Sequence, residues 1–305
     1  MYTKKKYSAR QMLIWTRREL RFFFVWATIV TILFEVAGLK FLQVPWTALA
    51  LIGTAVAFLI GFQSNAVYGR LWEARKIWGG IVNTSRSWTI MVKDFITNTH
   101  AKEHVSSDGI QAIKRELVHR HVAWLTALRY QMRADKPWEM HLKNTKSNAE
   151  FRESYYLICE DETPIKEAIE PYLSEEDYNE VFAKGNQASQ ILGIQSRRLK
   201  ELMDDGLIED FRHMEMVNVL VEFYTLQGKS ERIKNFPYPR QYATLGRYFV
   251  WSFILLIPFG LVPEFARIDE HIQGEFPNIA QYFVWLSVPF CGMVSWVFHT
   301  MERIG

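Results

Sequence analysis

Charge-free apolar runs and charged amphipathic runs alternate in blocks along this chain, and the blocks predict its elements. A membrane crossing needs about 20 mostly apolar residues. Four runs read as crossings. The first, 22–42, is apolar from Phe22 to Phe34 apart from two threonines, with Glu35 and Lys40 near its far end, where long side chains reach the interface. The second, 41–69, holds no charged residue, and Pro45 marks a turn or the first helical position. The third, 248–263, lies between Arg247 and Glu264, and Pro258 is expected to bend it or end it early. The fourth, 276–301, is also charge-free and carries Pro289. The pattern predicts an all-α membrane protein: a tail (1–21), a transmembrane hairpin (22–69), a helical polar domain (70–247), a second hairpin (248–301) and a short end (302–305).

The polar middle has helical period. Ile110, Ile113, Leu117, His121, Trp124, Leu125 and Leu128 recur at spacings of three and four, with Arg115, Arg120, Arg129 and Arg133 alternating between them. That arrangement reads either as a solvated basic face or as a basic wall beside water. Residues 134–148 are polar, contain Pro137 and predict a loop or hairpin. Further helices are expected over 164–182, with an acidic patch at Glu175-Glu176-Asp177, over 187–203 and over 211–224. Ile191, Ile194 and Leu199 form the apolar side of the helix from Gln187, and Gly206 fits its C-terminal break. A rigid connector is expected over 228–239, with Pro237 and Pro239.

Basic residues orient the crossings. The tail carries Lys4, Lys5, Lys6, Arg10, Arg17, Arg18 and Arg21, whereas the link between the first two runs has only Lys40 and that between the last two is mainly acidic. The tail, the middle and the C-terminus are therefore expected in the cytoplasm. The first run lies too far in, with too few small-residue cleavage sites, for a signal peptide. The net charge of +3 is too small to argue for nucleic acid, and Cys159 and Cys291 stand too far apart in sequence and setting to suggest a disulfide framework. A 15% aromatic content suits side chains at membrane interfaces. No catalytic or metal site is expected: His119 and His121 face different sides of a helix, as do His213 and Glu215, Asp204-Asp205 lacks the oxygen series of a calcium loop, and no phosphate loop or nucleophile elbow occurs. No cofactor is implied.

The second run holds the most informative residues. Small side chains (Gly53, Thr54, Ala55, Ala57, Gly61, Ser64, Ala66) permit close helix approach, and Gln63, Ser64 and Asn65 near its inner end need partners or water. Thr54, Phe58 and Phe62 fall at i, i+4 and i+8 on one stripe, which reads as a packing seam or, repeated about an axis, as a hydrophobic constriction. The run continues unbroken into Ala66-Val-Tyr-Gly-Arg70-Leu-Trp72-Glu73-Ala-Arg75-Lys76-Ile-Trp78-Gly79.

The stretch Gly61 to Gly79 resembles the signature of the bestrophins, especially their bacterial branch. The helix with Arg120-His121, Trp124-Leu125, Leu128-Arg129 and Arg133, and the connector Glu231-Arg232-Ile233-Lys-Asn235-Phe-Pro237-Tyr-Pro239, extend the likeness over nearly the whole chain. The resemblance implies a homopentameric ion channel in a bacterial inner membrane, with lipid and permeant small ions as its other partners. It implies a pore neck at Thr54, Phe58 and Phe62, where Thr54 departs from the family's usual apolar residue, and a second aperture near Ile191 or Ile194. Arg70, Trp72, Glu73 and Arg75 are expected to pack and pair at the junction of membrane and cytoplasm. Animal bestrophins clamp calcium with an acidic run after the last span; none occurs before Gly305, so calcium gating is not carried over. The family default is chloride-type anions, monovalent cations being the other option. The basic helix at Arg120–Arg133 favours the former, and acidic patches near Glu175 and Asp204 favour the latter. A secondary transporter would need an ionisable group near mid-span with broken helices around it, and a membrane scaffold would conduct nothing.

Overall fold

A computed structural model describes residues 7–137, 146–155, 157–272 and 282–304. Among the described residues all regular structure is helical: α1 (Ala9–Trp15), α2 (Arg17–Glu35), α3 (Trp46–Phe95), α4 (Ser107–Arg133), α5 (Lys146–Tyr155), α6 (Cys159–Glu162), α7 (Ile165–Ile169), α8 (Glu175–Ala183), α9 (Gln187–Asp204), α10 (Asp210–Asn235), α11 (Arg240–Ile272) and α12 (Ser287–Ile304). The chain divides into two compact units. One comprises Met1–Arg70, His141–Tyr156 and Tyr238–Gly305, and the other comprises Leu71–Met140 and Leu157–Pro237.

The first unit is a bundle in which α2, α11 and α12 pack together and α3 adds one face. Its core joins Phe23 and Ala27 of α2, Leu49, Val56 and Ile60 of α3, Val250, Phe253, Ile254 and Ile257 of α11, and Cys291 of α12. The α3–α11 contact depends on Gly53, because a Cβ there would lie 2.8 Å from the Phe253 ring. Among the described residues three stretches hold a helix long and apolar enough to cross a membrane: Trp46–Phe95, Asp210–Ile268 and Val284–Ile304. The first expected crossing differs from its prediction. Arg17, Arg18, Glu19 and Arg21 occupy the first turns of α2, and the helix stops at Glu35 rather than running on to Leu42. Of the expected fourth crossing, residues 276–281 lie outside the described residues.

Pro258 does not end the third crossing. α11 runs through both Pro258 and Pro263 to Ile272. Pro263 has no N–H for the Phe259 carbonyl one turn back, and that carbonyl instead accepts from the Val44 amide at 3.1 Å. The neighbouring Leu255 carbonyl accepts from Trp26 Nε1 at 3.1 Å. A partner distant in sequence thus satisfies the carbonyl that Pro263 frees, as a non-aqueous setting requires.

Part of the middle also joins the first unit. α5 was expected to be loop up to Asn148, and its described residues form a helix against α1: Phe151 lies 6.0 Å from the Tyr7 ring and 6.4 Å from Trp15, and Arg17 pairs with Glu150. Of that expected loop, 138–145 fall outside the described residues.

The second unit packs α4 between α9 and α7, with α10 and the Leu71–Phe95 part of α3 closing the core. The expected stripe is its centre: Leu117, Trp124 and Leu128 are fully buried beside Trp88, Leu199 and Phe223. The expected helix over 164–182 is instead broken at Pro171 into α7, a 3₁₀ turn and α8. α10 continues through Gly228 to Asn235, so the connector is shorter than expected. α9 ends in a Schellman motif, with Gly206 N–H donating to Met203 O and Leu207 N–H to Leu202 O, both at 2.9 Å. Gly206 sits at φ +76°, and a Cβ there would lie 2.1 Å from the His100 carbonyl oxygen. Gly206→Ala is expected to destabilise this unit by about 3 kcal/mol, seen as a lowered thermal unfolding midpoint of the purified protein.

His121 is buried between aromatic rings, 4.7 Å from Phe223 and 5.4 Å from Trp124, and its Nε2 shares a 2.9 Å hydrogen bond with Ser85 Oγ. Burial pushes its pKa down from 6.5 to about 4. Between those values the unfolded chain binds the proton and the folded one does not, so stability falls as the pH is lowered through that window. The loss should reach about 3 kcal/mol once the pH is below 4. Unfolding midpoints recorded against pH should therefore slope less steeply over this range in His121→Gln than in the wild type.

Candidate pore helix

α3 begins where Pro45 predicts: the Pro45 carbonyl accepts from Ala48 and Leu49 N–H at 3.1 and 3.2 Å, starting a 50-residue helix. In the first unit one face of α3 is covered, with Leu49 at 1%, Val56 at 0% and Ile60 at 6% exposure. The opposite face is open. Leu51, Thr54, Phe58, Phe62, Asn65 and Gly69 follow one another at three or four residues, and all are exposed, Phe58 by 65% and Phe62 by 69%. Only 17% of the apolar window of α3 is buried, against 50% and 39% for the other two crossing helices. The exposed Thr54 hydroxyl donates to Ala50 O at 2.9 Å.

Near the end of the open stripe the first unit is tied by polar contacts. Glu302 accepts from Arg247 Nε at 3.4 Å, and its carbonyl accepts from Gln63 Nε2 at 3.5 Å, next to Phe62. Arg303 pairs with Glu19 at 3.1 Å and lies 4.6 Å over the Trp15 ring. Trp296 Nε1 donates to Thr16 Oγ1 at 2.8 Å. These partners stand more than 50 residues apart and have no sequence signal beyond their charge.

Two of the stretches that carried the resemblance meet in the second unit: Glu73 pairs with Arg232 at 2.8 Å. The Arg75 guanidinium lies 6.0 Å from the Trp72 ring. Arg70, which closes the first unit, also has an interaction partner.

Ile191 and Ile194 are placed differently from expectation. They are 1% and 4% exposed and belong to the core of the second unit. A side chain that lines an aperture has to leave its own subunit, and neither does; that assignment is corrected. The exposed side of α9 carries Gly193, Ser196, Arg197 and Lys200 instead.

The charge patterns that bore on ion sign are also largely internal. Arg120 is buried and pairs with Asp177 and Glu116, each at 2.6 Å. Arg129 and Arg133 both contact Glu160, at 2.6 and 3.2 Å. Asp204 pairs with Lys200 at 3.2 Å. The basic row of α4 is therefore not a free wall, although Arg115 is exposed. Arg197 holds the Glu180 carboxyl below its usual range through a 2.6 Å ion pair. Among the described residues no group of three His, Cys, Asp or Glu side chains is placed to hold a metal ion, and Cys159 and Cys291 are free thiols.

Comparison with known proteins places this architecture. The family model described as bacterial/fungal bestrophin protein matches residues 11–272. The voltage-dependent anion channel-forming protein YneE of Escherichia coli (strain K12) is 26% identical over 251 residues, covering 82% of this chain and 67% of that protein. Its namesake from Salmonella typhi is 24% identical over 276 residues, covering 90% and 75%. A bacterial bestrophin homolog from Klebsiella pneumoniae, solved as a crystal structure, superposes with a TM-score of 0.65 at 19% identity, covering 93% of this chain and 86% of that one. The fold is shared, and with the family model matched over most of its length the chain belongs to the bacterial and fungal bestrophin family.

Proposed function

We propose that this membrane protein is one subunit of a homopentameric channel that passes small chloride-type anions through a pore lined by copies of α3. The observation that carries the reading is the open face of the charge-free first part of α3, 46–69, whose exposed stripe combines two large aromatic rings with small and polar residues. Copies of that stripe around an axis form a hydrophobic neck at Thr54, Phe58 and Phe62. Thr54 makes the outer ring the wetter one. The names of the relatives support the anion sign. The basic residues of the tail support cytoplasmic termini in a bacterial inner membrane. α2 supplies a fourth crossing, with its charged first turns at the inner interface and 36–42 at the outer one. Arg70, Trp72, Glu73 and Arg75 brace the helix where it leaves the membrane. A channel needs no catalytic group, and none is assigned.

The test is purified protein examined two ways. Light scattering should give the mass of five chains, and planar bilayers should show stepwise single-channel currents. A monomer, or slow saturable exchange without unitary currents, contradicts the reading.

A further inference from the structure

Within the second unit α3 and α10 lie side by side and run antiparallel at an almost constant register. Glu73 meets Arg232 at 2.8 Å, a Cβ on Gly80 would lie 3.0 Å from Leu226, the Trp88 and Phe223 rings are 6.3 Å apart, and Arg212 lies 5.5 Å over the Phe95 ring. At about 100° per residue, Val82, Arg86 and Lys93 fall on the side of α3 turned away from α10. Met214 and Val221 fall on the side of α10 turned away from α3, with Phe211 beside them. The pair therefore has two outer edges, and both are open. Val82 is 47% exposed and Ile90 60%, against 56% for Met214, 58% for Val221 and 76% for Phe211. Apolar side chains exposed in such a strip mark an interaction surface. The charges along the two edges are opposite. Arg86 and Lys93 stand on the α3 edge, and Glu215 and Glu222 flank the α10 edge. None of these four forms an ion pair among the described residues, and Arg86 reaches the Asn83 side chain at 3.4 Å. By the register of the pair, Glu222 is level with Arg86 and Glu215 with Lys93. Asp94, the acidic residue beside Lys93, is level with Arg212 rather than with either glutamate.

We propose that the α10 edge of one copy packs against the α3 edge of the next, and that this head-to-tail seam closes the second units into a ring. A rotation about an axis running along the helix pair leaves heights unchanged. Glu222 then meets Arg86 of the next copy and Glu215 meets its Lys93, beside an apolar strip of Met214 and Val221 against Val82 and Ile90. Either edge packed on its own copy would set like charges together, which disfavours a two-fold dimer. A contact between two different faces repeats around a ring instead. The inference rests on the proposed homopentamer and names the faces by which its subunits recognise each other.

The experiment is cross-linking of the full-length protein in detergent, in a Cys159→Ser background that leaves only the buried Cys291. Met214→Cys and Lys93→Cys are level with each other on opposite edges, so a short bis-maleimide cannot join them within one copy. The double variant should give a ladder that ends at five chains on a denaturing gel, and each single variant should give no product. Five-chain particles whose double variant forms no ladder overturn the seam and leave the pentamer standing. Dimers from a single variant overturn the seam as well, since they show an edge meeting itself. A wild-type protein that scatters light as a monomer overturns the homopentamer itself. A charge-exchange cycle at Glu222 and Arg86 decides independently. Glu222→Arg and Arg86→Glu should each lower the dodecyl sulfate concentration at which the five-chain particle dissociates, and the two together should restore it. Losses that simply add in the double variant overturn the pairing.

Discussion

Phe58→Ala and Phe62→Ala are each expected to raise single-channel conductance, and the double variant more than either. A ring of phenylalanine side chains constricts the path and resists wetting, whereas a ring of alanines leaves space for hydrated ions. If each truncation lowers the barrier to permeation by about 1 kcal/mol, the unitary current rises about fivefold. The subunit fold should be indifferent, because both rings are more than 60% exposed and take no part in the core that holds Leu49, Val56 and Ile60. This separation makes the prediction clean: assembly is retained while conductance changes. Wild-type conductance in a correctly assembled double variant would mean that neither ring narrows the path.

The second large effect concerns stability. Asp177→Ala removes the carboxylate that accepts from Arg120 Nε at 2.9 Å and Nη2 at 2.6 Å, where both side chains are about nine-tenths buried. The guanidinium is left with Glu116 alone. Removing one partner of a buried pair costs about 3–5 kcal/mol, and the lower end applies here because Glu116 remains. The expected result is a sharply lowered unfolding midpoint or loss of monodisperse protein. Arg120→Met combined with Asp177→Leu should recover most of that loss, since apolar replacements of similar volume leave no buried charge. A single variant as stable as the wild type would show that Arg120 finds enough compensation without Asp177.

The elements that could be read from sequence are those fixed by local pattern. The charge-free blocks located the apolar parts of α3, α11 and α12, and the three-and-four spacing from Ile110 to Leu128 marked the buried face of α4. The exposed stripe at Thr54, Phe58 and Phe62 was visible as a period, but period alone does not say which face is covered. Burial of Val56 and Ile60 settles that within the subunit. Two of the failures share one cause, a partner far away in the chain. Pro263 reads as a helix end until the Val44 amide takes the freed carbonyl. Arg120 reads as solvent-facing until Asp177, 57 residues on, reaches it. Ile191 and Ile194 were assigned both to the apolar side of α9 and to an aperture, and these roles conflict, because the apolar side of an amphipathic helix is the side its own core covers.

The central claim is that the open face of α3 looks onto passing ions and not onto lipid. Phe58→Cys in a Cys159→Ser background, recorded in a planar bilayer during perfusion with a bulky, charged, membrane-impermeant thiol reagent, tests it most directly. If ions pass this face, the current falls irreversibly in steps that the Cys159→Ser parent does not show. Current that stays constant while mass spectrometry finds the introduced thiol unmodified would place that face in lipid and contradict the claim.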